Sequence, residues 1–88
     1  MESSILAIED DNDIQDLLTY NLSQSGYKVM NAYDGAKGIE LAQEKQPDLI
    51  LLDIMLPEVD GLSACRKLKE NPKTSNIPII MLLSLIHI

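Results

Sequence analysis

Glu9 and Asp10 close the apolar run Ile5-Leu6-Ala7-Ile8, and Asp53 closes a second run, Leu49-Ile50-Leu51-Leu52. Ionised carboxylates beside buried apolar segments are costly unless something compensates them. If the two runs lie side by side, the three acids converge. Two unit negative charges about 4 Å apart repel by roughly 4 kcal/mol at an effective dielectric near 20. Such a cluster calls for protons or a cation, and a hard divalent ion such as Mg²⁺, which accepts a few carboxylates and keeps its waters, meets that need.

The elements that would bring these acids together follow from the pattern around them. Continuous apolar runs read as strands of a parallel sheet covered on both faces, and such sheets carry ligand sites at the carboxyl ends of their strands, at a topological switch point. Residues 4–9 read as the first strand. Asp11-Asn12-Asp13 supplies N-cap candidates for a helix starting near Asn12, with Ile14, Leu17, Leu18 and Leu22 on one face. Gly26 suits the left-handed position that ends a helix, and Tyr27 to Ala32 reads as a second strand at a sheet edge.

Asp34-Gly35 opens a second helix that carries Ala36, Ile39, Leu41 and Ala42 inward, with Gly38 weakening it and Pro47 marking its stop. Residues 48–53 form the third strand, and a loop with Pro57 and Gly61 leads to a third helix near 61–70, with Leu62, Cys65 and Leu68 at helical spacing. Pro57 fixes its backbone and Gly61 admits positive φ. Asn71-Pro72 ends that helix, and Ile77 to Leu83 reads as a fourth strand with Pro78 near its start. The strand-helix alternation predicts a doubly wound parallel α/β sheet of order 2-1-3-4, with helices on both faces.

Bulk properties exclude several classes. Eighty-eight residues make one small domain, and a lone Cys65 allows no internal disulfide and no cysteine-based zinc site. Seven Lys and Arg against 14 Asp and Glu leave a net charge of −7, which argues against direct nucleic-acid contact, since phosphates require clustered cations. Met1 to Ser4 lacks the basic stretch and apolar core of a signal peptide, and no run reaches membrane-spanning length, so a cytoplasmic location is expected.

Ile5-Leu6-Ala7-Ile8-Glu9-Asp10-Asp11, taken with Asp53-Ile54-Met55-Leu56-Pro57-Glu58-Val59-Asp60-Gly61, resembles the receiver domain of bacterial two-component response regulators over residues 4 to about 82. The specificity comes from the acidic pair after the first strand together with the later Asp-x-Met-x-Pro-x-x-Asp-Gly pattern; either half alone is weak. The resemblance implies a flavodoxin-like, CheY-like fold, here incomplete with four strands and three helices. It implies that Asp53 is the nucleophile that takes a phosphoryl group from the phosphohistidine of a sensor histidine kinase. Asp10 would be a direct Mg²⁺ ligand, Glu9 would hold the ion through water, and Met55 would offer its backbone carbonyl. Asp11 and Asp13 read as cap and helix-dipole residues, Cys65 as a core contact, and His87 has no role.

The family pattern also expects a hydroxyl at the end of the fourth strand and a Lys after a fifth. Here Leu83 stands at the hydroxyl position, with Ser84 one residue later, and the Lys-bearing strand is absent. The division expected is therefore a truncated receiver domain over 1–82 and an atypical tail over 83–88, either non-native or the end of a genuine short variant, with any output domain outside this chain. Metal and phosphate binding are expected to survive better than signal transmission. The rival reading is a receiver-like interaction module that phosphorylation does not switch. A Mg²⁺-dependent phosphohydrolase is disfavoured, because enzymes resembling the haloacid dehalogenase group carry a second Asp where this chain has Met55.

Overall fold

The computed structural model describes residues 3–56 and 61–82. Strands β1 (Ser4–Ile8), β2 (Lys28–Ala32), β3 (Leu49–Asp53) and β4 (Ile79–Leu82) alternate with helices α1 (Asn12–Gln24), α2 (Gly35–Lys45) and α3 (Gly61–Glu70). All neighbouring strands pair in parallel in the order β2-β1-β3-β4, as the alternation predicts. The chain moves outward from β1 to β2 and then returns past β1 to β3, so the switch point lies between β1 and β3.

Local chemistry sets the ends of these elements. Asp11 caps α1 by accepting the Ile14 N–H at 3.0 Å, and Asp34 caps α2 by accepting the Lys37 N–H at 2.7 Å. Past the end of α1, Gly26 takes φ +93°, a conformation that an L side chain resists. The end of α2 is reached at Gln46, itself left-handed, one residue before Pro47.

Three of the strands begin one or two residues later than expected, and β1 ends at Ile8, one residue earlier. The Tyr27 N–H still bonds back to Leu22 O, at 3.1 Å, so β2 starts at Lys28. Asp48 is diverted to accept the Ser4 N–H at 2.7 Å, and β3 starts at Leu49. Ile77 is held in the preceding turn by its bond to Thr74 O, at 3.0 Å, so β4 starts at Ile79 rather than at Ile77. Pro57 to Asp60, Leu83, Ser84 and His87 lie outside the described residues, and with them the expectations placed on the loop proline, the hydroxyl and the tail.

Two faces follow from the strand period. Leu6, Ile8, Ile50 and Leu52 form one face and build the core with Ala42 of α2 and Ala64 and Leu68 of α3. Asn31, of opposite parity to Met30 and Ala32, hydrogen-bonds to α1, so α1 covers the other face. Helices lie on both faces, as expected, but three inward assignments change. Leu17 is exposed, because α1 turns Ile14 and Gln15 inward instead. Ala36 is exposed, because α2 packs through Gly35, Gly38 and Ala42, and a Cβ at Gly38 would run into the Ile8 side chain. Leu62 is exposed, because α3 packs through Gly61, Ala64 and Leu68.

On the α1 face, the edge strand β4 is the least covered of the sheet. A cleft of about 410 Å³ runs there, lined by Ile5, Leu22, Tyr27, Leu49, Leu51 and Ile80. Ile80, on the edge strand, is 51% exposed.

Candidate functional site

Parallel pairing places Ile8 opposite Leu52, so the residues that follow, Glu9 and Asp53, leave adjacent strands side by side at the switch point. Glu9 and Asp53 are both buried, and Asp10 is exposed at the rim. One carboxylate oxygen from each of the three falls within 4.8 Å of the others. The convergence expected from the two apolar runs therefore holds in space.

The two buried acids each have a fastening. Asp53 Oδ1 accepts the Met55 N–H at 3.1 Å, and Glu9 Oε2 accepts the Asp11 N–H at 3.1 Å. Asp53 Oδ2 is buried with no hydrogen-bond partner among the described residues. A buried carboxylate oxygen left in this way costs free energy. A cation or a phosphoryl group at that oxygen would remove the cost, and three clustered oxygens of hard carboxylates suit Mg²⁺. The donor set therefore fits the ion that the charge cluster calls for.

Met55 lies two residues beyond Asp53 with an exposed side chain, and its N–H orients the Asp53 carboxylate. Gly61, at the start of α3, was expected to supply positive φ. Among the described residues the only glycine with positive φ is Gly26. Gly61 instead lies against the Asp53 carbonyl, with Ile54 Cα 2.6 Å from where a Cβ would stand, and its N–H donates to Ile54 O at 3.0 Å. Its lack of a side chain lets α3 begin directly against the backbone of the candidate nucleophile.

A polar group that the sequence reading did not single out sits behind the acids. Gln15 is buried on α1 and donates to the backbone carbonyls of Ala7, Glu9 and Ala32, while its own carbonyl accepts from Asn31, which also donates to Thr19. The available signal was that Gln15, Leu18 and Leu22 fall at i, i+3 and i+7, which places one polar residue on an apolar stripe.

A doubly wound parallel sheet with three acids gathered at its switch point defines the class: an α/β domain with an acidic site at the carboxyl ends of its strands. The response regulator receiver domain model matches residues 5–85, and the chain belongs to that family. It is 51% identical over 81 residues to the DNA-binding dual master transcriptional regulator RpaA of a Synechocystis species, covering 92% of this chain and 34% of that protein. It is 43% identical over 82 residues to the alkaline phosphatase synthesis transcriptional regulatory protein PhoP of Bacillus subtilis, covering 93% and 33%. The chain thus spans about a third of the length of these curated relatives.

Solved structures agree. The N-terminal domain of a response regulator receiver protein from Methanoculleus marisnigri superposes with a TM-score of 0.87 at 35% identity, over 89% of this chain and 63% of that one. The receiver domain of the sensor histidine kinase PA1611 from Pseudomonas aeruginosa, which has a magnesium ion coordinated in its active-site cleft, superposes with a TM-score of 0.88 at 32% identity, over 92% and 66%.

Proposed function

We propose that this receiver domain accepts a phosphoryl group on Asp53, with Glu9, Asp10, Asp53 and the Met55 backbone carbonyl holding Mg²⁺. The observation that carries the reading is the buried, unpartnered Asp53 Oδ2, on a carboxylate that comes within 4.8 Å of those of Glu9 and Asp10. Phosphoryl transfer asks chiefly for positioning and charge neutralisation. The Met55 N–H supplies the positioning by fixing Asp53 through Oδ1. Bound Mg²⁺ would supply the neutralisation, offsetting the charge of the three acids and of the incoming phosphoryl oxygens.

In the step itself, an Asp53 carboxylate oxygen forms the new bond to phosphorus as the P–N bond of a kinase phosphohistidine breaks. The electron pair leaves on the imidazole nitrogen, and the product is an acyl phosphate. The donor is a sensor histidine kinase, and the responding output domain lies outside these 88 residues, a reading supported by relatives about three times as long. The domain acts as a regulatory phosphoacceptor rather than a phosphohydrolase of the haloacid dehalogenase kind, because Met55 stands where those enzymes carry a second Asp. A cytoplasmic location accords with the donor. Among the described residues no helix is long and apolar enough to cross a membrane.

The test uses acetyl phosphate as a small phosphodonor with Mg²⁺ and intact-mass spectrometry. The wild-type chain should gain one phosphoryl group slowly, and Asp53→Ala should gain none. Equal phosphorylation of the variant would refute the choice of Asp53.

A further inference from the structure

A buried amide lies behind the acids. Gln15 is 1% exposed, and its Nε2 lies 2.9 Å from Ala7 O, 3.1 Å from Glu9 O and 2.9 Å from Ala32 O. All three are carbonyl oxygens, which only accept, so the amide nitrogen must face them. The opposite side of the group then presents Oε1, which accepts from Asn31 Nδ2 at 2.6 Å, and Asn31 donates as well to Thr19 Oγ1 at 3.0 Å. Two amide hydrogens serve three acceptors, so one is shared.

The position of one acceptor matters most. The Glu9 carbonyl belongs to the peptide that joins Glu9 to Asp10, and this peptide lies past the last paired residue of β1. A peptide unit is planar, so holding its oxygen fixes the directions in which the Glu9 and Asp10 chains leave it. The Glu9 N–H is fastened separately to Ala32 O at 3.0 Å, and Gln15 grips that same Ala32 oxygen. One side chain on α1 therefore ties the end of β1, the end of β2 and the acidic peptide into a single unit.

We infer that Gln15 is a positioning residue for the metal site: its amide, oriented by Asn31, holds the Glu9–Asp10 peptide so that both carboxylates face Asp53. The inference rests on the phosphoacceptor reading above and extends it to a residue that touches neither ion nor phosphoryl group. An apolar side chain of equal length would fill the same space on the stripe of α1. What it would lose is the grip on the acidic peptide, so the effect falls on metal affinity before it falls on the fold.

The test measures the Mg²⁺ dissociation constant by amide NMR for the full 88-residue chain and its variants. Gln15→Met, of similar length and apolar, should raise the constant about tenfold, at the lower end of the effect of removing groups that orient metal ligands. Asn31→Ala, which leaves Gln15 in place but removes the group that orients it, should raise the constant by a smaller factor, and it serves if Gln15→Met does not fold. The rate of Asp53 acylation at saturating Mg²⁺ should fall far less than the affinity does. Leu68→Ala, which loosens the core on the opposite face, should leave the constant of the folded protein unchanged.

An unchanged constant in Gln15→Met or in Asn31→Ala overturns the inference, and so does an equal rise in Leu68→Ala. A wild-type chain whose Mg²⁺ response is absent, or is untouched by Asp10→Asn, overturns the metal assignment itself and this inference with it. That failure is read from the wild type and Asp10→Asn, not from Gln15.

Discussion

Asp53→Asn removes one negative charge and keeps both the side-chain shape and an oxygen for the Met55 N–H, which Oδ1 accepts at 3.1 Å. Glu9 and Asp53 are buried at 1% and 0% exposure, and their site oxygens lie within 4.8 Å of one another. Two ionised carboxylates at that separation repel by about 3.5 kcal/mol at an effective dielectric near 20. Small rotations of both groups absorb part of this, so the metal-free Asp53→Asn chain should be about 1–3 kcal/mol more stable than wild type. In urea unfolding with a chelator at neutral pH, slopes of about 1–3 kcal/mol per molar turn that gain into a midpoint roughly 1 M higher. Adding Mg²⁺ to a hundred times its dissociation constant should stabilise wild type by about 2.7 kcal/mol. The variant, with one ligand fewer, should gain less. A variant no more stable than wild type in the chelator would show that the acids do not oppose one another in the folded chain, and the argument from repulsion to a cation would fall.

Gly61→Ala should destabilise the chain by about 1–3 kcal/mol in urea unfolding and slow Asp53 acylation, because the added Cβ meets backbone that cannot yield, with Ile54 Cα 2.6 Å away; wild-type stability would show that α3 is free to shift. Ile80→Lys places a charge on the exposed edge strand and should reduce self-association in light scattering, with stability changed by no more than about 0.5 kcal/mol. A wild-type chain that stays monomeric at the same concentration would show that the edge and the cleft beside it are not sticky.

The order of elements, the parallel sheet and the meeting of Glu9, Asp10 and Asp53 were all legible in the chain. Apolar runs long enough only for strands alternate with helical stripes, and an α/β sheet with short connections has few topologies to choose from. The strand-end acids are legible for the same reason, since a residue that follows a buried run in a parallel sheet must emerge at the carboxyl edge. The caps at Asp11 and Asp34 and the left-handed Gly26 are local choices, made by residues within a turn of one another.

The tertiary structure decided which side of each helix faces the sheet. Leu17, Ala36 and Leu62 each lie one step from a buried stripe, and an apolar stripe broader than 100° admits several inward directions until a neighbour selects one. For α2 and α3 the selected face is the one with the smallest residues, because Gly38 against Ile8 and Gly61 against Asp53 set how closely helix and sheet approach. Gln15 belongs to the same kind of knowledge. Its amide serves carbonyls 6, 8 and 17 positions away in the chain. No local pattern encodes such a set, because the carbonyls become neighbours only after β1, β2 and α1 have packed.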